Sequence, residues 1–237
     1  LVAARTYASE VLAVDISPRA ITFCDFNIVL NELECVVRVR EGNVYSSVDS
    51  QQQPFDAILA NPPFVSVPSP PPGLPVEALW ALYADGGPDG ADVLRAVLKG
   101  ADIAMLVDGG TLSVATECAN VATAHEWLLE SCASLELAVC YHPDHVQLAH
   151  EYASMRAAER VLPWAGQDSW SATLSEHGVT HLGQQCFIFA VQREGTSATG
   201  RAEVLEGDAE LAIATSGAAQ LRRLLDAMLR GKPHSRA

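Results

Sequence analysis

Three short, largely apolar runs, spaced by segments with a helical or turn pattern, constrain the fold of this chain more than any other feature. The runs cover residues 11–14, 35–39 and 55–60. Short apolar runs of this kind are typical of buried strands in a parallel sheet. Ser17 and Pro18 then predict the start of a helix, because serine caps helices and proline lacks the N–H that would stay unbonded there. This order predicts an α/β fold with a doubly wound sheet.

The same alternation continues to about residue 192. Its patterns predict a helix over 91–105, a strand over 111–115, a helix over 123–132, a strand over 135–141, a mostly helical region over 142–184 and a last strand over 186–191. We therefore predict a core of residues 1–192. Residues 193–237 are predicted to be a polar linker and a C-terminal helix with an apolar stripe from Leu221 to Leu229.

Charge and hydropathy disfavour two classes of partner. The 237 residues include 15 Lys or Arg and 29 Asp or Glu, a formal net charge of −14, and between Glu41 and Glu151 the only basic residues are Arg95 and Lys99. Such a span is a poor match for bare nucleic acid, because phosphates attract Lys and Arg. No apolar run approaches the roughly 18–20 residues that cross a bilayer, so no membrane association is expected.

The cysteines and histidines of the sequence do not have the spacing of a metal-binding motif. The six cysteines occur singly, at positions 24, 35, 118, 132, 140 and 186. We expect them to be small buried residues in a reducing compartment, which is the cytoplasm or, as an alternative, an organelle. His142 and His145 flank a Pro-Asp pair, a spacing that matches no common ligand set, so no metal is expected.

The most informative residues are Asn61, Pro62, Pro63 and Phe64, here called the NPPF motif, which follow the run 55–60 directly. Ligands of open α/β sheets bind beyond the carboxyl ends of the strands. The Asn amide oxygen and the backbone carbonyls around the prolines accept hydrogen bonds, and the prolines donate none. Phe64 offers a face for stacking on a flat group. The motif therefore predicts a clamp for a planar –NH₂ group, whose nitrogen is held in place for attack.

Two further polar residues are predicted to follow strand ends. Asp15 ends the first run, where a carboxylate can accept hydrogen bonds from both hydroxyls of a ribose, and Ile16 beside it can pack on an adenine ring. Asn43 follows the second run and can reach an adenine amino group. An alternative is that Asp15 only complements the dipole of the following helix.

In chain order, these residues resemble the class I S-adenosylmethionine-dependent methyltransferases, specifically the small-domain type that includes N6-adenine and glutamine-N5 enzymes. Segments 14–20 and 55–64 carry the resemblance, and the turns at 85–90 and 108–112 support it. The resemblance implies a Rossmann-like, seven-stranded, mostly parallel sheet. It also implies that this chain is an N-terminal truncation that lacks the first strand and the glycine-rich loop of the family.

The resemblance also implies roles for individual residues. Asp15 would bind the ribose of S-adenosylmethionine, with Ile16 and Asn43 beside the adenine, although the family commonly has an acidic residue where this chain has Asn43. Within the NPPF motif, Asn61 would face both cofactor and acceptor, the carbonyl of Pro62 would orient the acceptor nitrogen, and Phe64 would stack on the acceptor. Pro63 would stiffen the motif.

Several functions stay open at this level. The acceptor is a protein glutamine or a nucleobase, and the acidic composition favours the protein slightly. A nicotinamide-dependent oxidoreductase would also use Asp15 on a ribose, but it gives no reason for the NPPF motif. A non-catalytic module that keeps the fold without binding the cofactor is the third alternative.

Overall fold

The structure is a computed structural model that describes residues 1–49, 54–73, 84–101, 105–132, 134–160, 162–192 and 201–206. The chain forms two compact units, residues 1–53 and residues 54–237.

The first unit is a small α/β element with one pair of parallel strands. Its elements are α1 (Val2–Thr6), β1 (Val11–Asp15), α2 (Pro18–Leu30) and β2 (Val37–Glu41). The register of β1 and β2 runs from Val11 opposite Val37 to Asp15 opposite Glu41. A small core of Ile28, Leu33 and Val37 joins α2 to β2.

Burial in this unit differs from the sequence prediction. Residues 11–14 of β1 are half-buried, whereas their apolar run predicts full burial. The reason is that, among the described strands, β1 pairs with β2 alone. Apolar side chains of α2 are also exposed, notably Phe23, Phe26 and Leu30.

The second unit contains a six-stranded sheet. Its strands are β3 (Phe55–Ala60), β4 (Leu106–Ala119), β5 (Leu135–Tyr141), β6 (Val146–Leu148), β7 (His181–Gln192) and β8 (Arg201–Glu206). The order is β3-β4-β7-β5-β8, and β6 pairs with β7. β7 is antiparallel to β4, β5 and β6, whereas β3 is parallel to β4 and β8 is parallel to β5. All strands of this sheet except β7 therefore run in one direction.

Helices connect these strands. They are α3 (Asp92–Gly100), α4 (Ala124–Ser131), α5 (Ala149–Glu159) and α6 (Gln167–Glu176). The largest buried side chains include Leu94 and Leu98 of α3, Leu128 of α4 and Leu112 of β4. The core of this unit therefore lies between the helices and the sheet, and α5 and α6 form an excursion before β7.

The α/β class and the mostly parallel strand arrangement are confirmed. The described strands form two sheets, one of two strands and one of six. The region 142–184 is less helical than predicted, since it includes β6 and the start of β7. Residues 201–206, predicted as linker, form β8 beside β5, so the sheet extends past residue 192. The predicted stripe from Leu221 to Leu229 lies outside the described residues.

Two findings bear on membranes and thiols. No helix among the described residues is long and apolar enough to cross a membrane. Four cysteines are buried as predicted, namely Cys118, Cys132, Cys140 and Cys186. The prediction is wrong for Cys35, which is exposed, and only partly right for Cys24, which is half-buried.

Candidate functional site

In the first unit, Asp15 lies at the carboxyl end of β1, where α2 begins. Its Oδ1 accepts a hydrogen bond from the backbone N–H of Ser17 at 2.8 Å. Ser17 is the N-cap of α2, and its hydroxyl accepts from the N–H of Ala20 at 3.4 Å. The carboxylate of Asp15 is exposed, as is the neighbouring Ile16 at 50%. The turn thus presents an anionic acceptor beside an apolar side chain.

Asn43 reaches the same edge of this unit because β1 and β2 end together. The backbone N–H of Gly42 donates to the carbonyl oxygen of Asp15 at 2.9 Å. The N–H of Asn43 donates to the hydroxyl of Ser46 at 2.7 Å, and its side chain is exposed. The first unit therefore brings Asp15, Ile16 and Asn43 to one edge, as their places in the sequence predict.

In the second unit, the NPPF motif follows β3 directly. β3 and β4 are parallel, with Ala60 opposite Val114, and β4 continues to Ala119. Asn61 is exposed, Pro62 is buried, and Pro63 and Phe64 are half-buried. The motif is therefore anchored through its prolines, while the amide of Asn61 faces solvent.

A second segment, residues 84–91, holds the chain that leaves the motif. Val65 forms a parallel bridge with Asp85. The N–H of Val65 donates to the carbonyl of Ala84 at 2.8 Å, and the N–H of Gly86 donates to the carbonyl of Val65 at 2.9 Å. The N–H of Val67 donates to the carbonyl of Gly87 at 3.0 Å. These backbone bonds join two segments about twenty residues apart.

Side chains reinforce this junction. The hydroxyl of Ser66, which is fully buried, donates to the carbonyl of Pro88 at 2.5 Å. Asp89 accepts from the N–H of Ala91 at 3.0 Å and forms an ion pair with Arg95 of α3. Although burial opposes it, the bonds from Arg95 and the Ala91 N–H lower the pKa of Asp89. The charge that closes the 84–91 segment is therefore favoured at neutral pH.

The ring of Phe64 packs against a buried cluster formed mostly by the helical excursion, here called the α5–α6 cluster. Its members are Val65, Tyr152, Ala153, Leu162, Ala165, Trp170, Leu174, Val179 and Leu182. Within it, the rings of Tyr152 and Trp170 meet edge to face, with centroids 6.4 Å apart. The excursion thus supports the ring of Phe64, a contact that the sequence alone did not reveal.

A buried ion pair fastens α5 to the sheet. Glu117 of β4 accepts from the Tyr152 hydroxyl at 2.9 Å and from Arg156 Nη2 at 2.9 and 3.1 Å. The side chains of Glu117 and Arg156 are only 9% and 15% exposed. Burial raises the pKa of Glu117, and this effect exceeds the opposing attraction of Arg156. The sequence did not reveal this pair, because Glu117 lies after the predicted strand 111–115 and belongs to no motif.

The histidines near residue 142 make local contacts. His142 Nδ1 accepts from the N–H of Asp144 at 3.2 Å, and the rings of His142 and His145 lie 5.5 Å apart. Among the described residues, no group of three or more His, Cys, Asp or Glu side chains is placed to hold a metal ion.

Comparison with known proteins finds a family match that covers the first unit and the start of the second. Residues 1–69 match the family model of the methyltransferase small domain. This match includes Asp15, Ile16, Asn43 and the whole NPPF motif. The resemblance to class I methyltransferases of the small-domain type is thereby confirmed.

Two curated proteins to which this chain is similar are both named glutamine methyltransferases. The chain is 36% identical over 108 residues to the release factor glutamine methyltransferase of Moorella thermoacetica, a match covering 45% of this chain and 37% of that protein. It is 32% identical over 103 residues to the ribosomal protein uL3 glutamine methyltransferase of Bradyrhizobium diazoefficiens, covering 42% and 31%. The matches thus span about a third of the length of each relative.

Among solved structures, the chain is similar to a geranyl diphosphate C-methyltransferase from Streptomyces coelicolor. The identity is 14% and the TM-score 0.43, over 81% of this chain and 66% of that one. A likeness at this level says nothing about ligand or reaction.

Proposed function

We propose that this protein transfers a methyl group from S-adenosylmethionine to the side-chain amide nitrogen of a glutamine in a protein. The observation that carries the proposal is the NPPF motif, set directly after β3 with Asn61 exposed and Pro62 buried. A carbonyl-rich turn that donates no N–H from its prolines suits an –NH₂ group, which has two hydrogens to give.

The turn after β1 fits the ribose and adenine of the cofactor. Asp15 keeps an exposed carboxylate, of which Oδ1 is held by Ser17, so the group is oriented before any ligand arrives. Ribose hydroxyls would donate to it, and Ile16 and Asn43 would flank the adenine from the same edge. When bound, the cofactor would supply a methyl group activated by a sulfonium.

The NPPF motif would orient the acceptor. The amide oxygen of Asn61 and the carbonyl of Pro62 would each accept one hydrogen of the acceptor –NH₂, which localises the nitrogen lone pair for attack. The exposed part of Phe64 would cover the amide plane, while the α5–α6 cluster supports the rest of the ring. The acceptor nitrogen would gain the methyl group as the sulfonium–methyl bond breaks and S-adenosylhomocysteine is left, and the cationic nitrogen would then lose its proton without a strong base.

Two observations favour a protein glutamine over a nucleobase. Both curated relatives carry glutamine methyltransferase in their names. Between Glu41 and Glu151, moreover, only Arg95 and Lys99 are basic, and Arg95 is paired with Asp89 and Asp92. A polyanion would find few cations there, because phosphate contacts need Lys and Arg.

The cofactor site is tested by calorimetric titration of S-adenosylhomocysteine into the full-length gene product. Asp15→Ala should weaken binding at least about tenfold, since charge-assisted hydrogen bonds to the ribose are lost. Asp25→Ala, which removes an exposed carboxylate from the neighbouring helix α2, is the matched control and should bind as the wild type does. Absence of saturable binding by the folded wild type would refute the cofactor assignment.

The acceptor is tested with cofactor carrying an isotopically labelled methyl group. Glutamine-containing peptides from a release factor and from ribosomal protein uL3 should gain label, and the same peptides with Gln→Glu should not. Asn61→Ala should lower kcat about 100-fold or more, a larger factor than any loss of S-adenosylhomocysteine affinity, because a preorganised hydrogen-bond acceptor for the –NH₂ group is removed. Label on RNA or DNA oligonucleotides, with none on peptides, would replace glutamine by a nucleobase.

A further inference from the structure

The backbone of Phe64 and the segment 84–91 approach so closely that side chains are excluded between them. A Cβ on Gly90 would press on the carbonyl oxygen of Phe64 and lie 3.2 Å from the backbone nitrogen of Ser66. A Cβ on Gly86 would lie 2.8 Å from the Cα of Phe64 and 2.5 Å from the carbonyl oxygen of Gly90. Both glycines therefore meet backbone, which cannot move aside as a flexible side chain can.

Two prolines restrict how far the chain between Phe64 and Asn61 can absorb a displacement of Phe64. Pro62 and Pro63 lie between them, and each proline has its φ fixed near −65° by its ring. Proline also restricts the residue before it, which includes Asn61. The link from Phe64 to the amide of Asn61 is consequently stiff.

The segment 84–91 is itself fixed at both ends. Asp85 accepts from the N–H of Gly87 at 2.9 Å, and the N–H of Asp92 donates to the carbonyl of Gly86 at 2.8 Å. At the other end, Asp89 is paired with Arg95 of α3. Since α3 carries the buried residues Leu94, Val97 and Leu98, the segment rests on the core of the second unit.

From these contacts we propose that Gly90 is a positioning residue for methyl transfer, with Gly86 and Ser66 supporting it. The 84–91 segment holds the Phe64 backbone at a distance that only glycine allows, and thereby aims the Asn61 amide and the Pro62 carbonyl at the acceptor nitrogen. This proposal rests on the proposed function of the NPPF motif. It adds a determinant of turnover that touches neither cofactor nor acceptor.

The test compares Gly90→Ala with Gly73→Ala in the full-length protein. Both glycines have positive φ, +78° and +92°, so both substitutions strain the backbone, but a Cβ on Gly73 meets nothing within 4 Å. Gly90→Ala should lower kcat about 100-fold, the loss expected from a misplacement of about 1 Å, while S-adenosylhomocysteine binds within twofold of wild type. Gly73→Ala should leave kcat within twofold.

A milder variant covers the case in which Gly90→Ala does not fold. Ser66→Ala removes only the buried hydrogen bond to the Pro88 carbonyl and should lower kcat roughly fivefold, again with cofactor affinity retained. An active wild type with kcat unchanged in Gly90→Ala, or in Ser66→Ala where Gly90→Ala is unfolded, overturns the proposal. So does a loss of kcat that is matched by an equal loss of cofactor affinity. A wild type that neither binds S-adenosylhomocysteine nor methylates peptide overturns the proposed function and this proposal with it.

Discussion

The two units hold their strand-end loops by different means. After β1, the contacts of the side chains are local: Ser17 donates to Asp15 two residues away, and Ala20 donates to Ser17 three residues away. After β3, the chain is held by residues 84–91, about twenty positions further on. A loop with local contacts tolerates change in its surroundings, whereas a loop held from a distance depends on the folding of its whole unit.

The hydrophobic cores of the two units also differ, because the second unit buries more apolar side chains than the first. The first unit buries Ile28, Leu33 and Val37, while apolar side chains of α2 stay exposed. The second unit has fully buried side chains on three strands and four helices, among them Leu94, Leu112, Leu128 and Leu135. Since stability grows with the apolar area that is buried, we expect the first unit to open more readily than the second.

The largest expected effect is on thiol reactivity. Burial raises the pKa of Cys140 to about 11 and that of Cys186 to about 12. Thiolate is the reactive form, so at pH 8 Cys186 should react with a disulfide reagent about a thousandfold more slowly than exposed Cys35. Stopped-flow labelling measures both rates, and Cys35→Ser should remove the fast phase. Fast labelling of a cysteine in the second unit would contradict the difference between the cores.

The next largest effect is on stability, which should fall further when a buried ion pair is broken than when an exposed one is. Arg156→Met leaves Glu117 buried without its cation and removes the guanidinium from the face of Tyr152, so the free energy of unfolding should fall by about 3–5 kcal/mol. The control is Arg38→Met, whose partner Glu10 is 61% exposed and whose own side chain is 71% exposed. It should lose at most about 1 kcal/mol. Urea denaturation measures both, and equal losses would refute the role given to Arg156.

The same variant has a pH signature. Burial already raises the pKa of Glu117 in the wild type, and removing Arg156 should raise it further. A carboxyl group with a folded-state pKa above its unfolded value binds its proton more tightly when folded, so rising pH destabilises the fold. The loss caused by Arg156→Met should therefore shrink as pH falls and Glu117 becomes protonated. A loss that is constant from pH 7 to pH 4 would contradict this assignment.

Local sequence patterns predict the bounds of two strands correctly, but they wrongly predict that one strand begins only after a glycine pair. Phe55–Ala60 and Leu135–Tyr141 have the predicted bounds, because each is an apolar run with turn-forming neighbours. β4 was predicted only over 111–115, since Gly109 and Gly110 suggest a break. In the sheet they form an irregularity in the pairing of β3 and β4, where a Cβ on Gly110 would lie 3.1 Å from the Phe55 carbonyl oxygen. Glycine thus permits a close approach inside one strand.

The residues of the candidate site also differ in whether a local sequence pattern predicts them. Asp15, Ile16, Asn43 and the NPPF motif lie at strand ends, and strand ends can be read from apolar runs. Gly90, Ser66 and the α5–α6 cluster matter only through partners distant in sequence, which no local pattern specifies. The turn at 85–90 was visible in the sequence, but the backbone on which it packs was not.

The smallest expected effect concerns the local contacts that hold the turn after β1. Ser17→Ala removes the hydroxyl that caps α2, but at 3.4 Å the bond is long, so the loss should be about 0.5–1 kcal/mol, measured as faster amide exchange in α2. Thr22→Ala removes an exposed hydroxyl that donates to the Pro18 carbonyl at 3.0 Å within the same helix, and it should be neutral or stabilising, because such back-bonding slightly destabilises a helix and alanine favours it. Alanine at position 17 keeps the backbone N–H that holds Asp15, so S-adenosylhomocysteine should bind within twofold of wild type. A tenfold loss of affinity in Ser17→Ala would show that the hydroxyl, and not the backbone, orients the carboxylate.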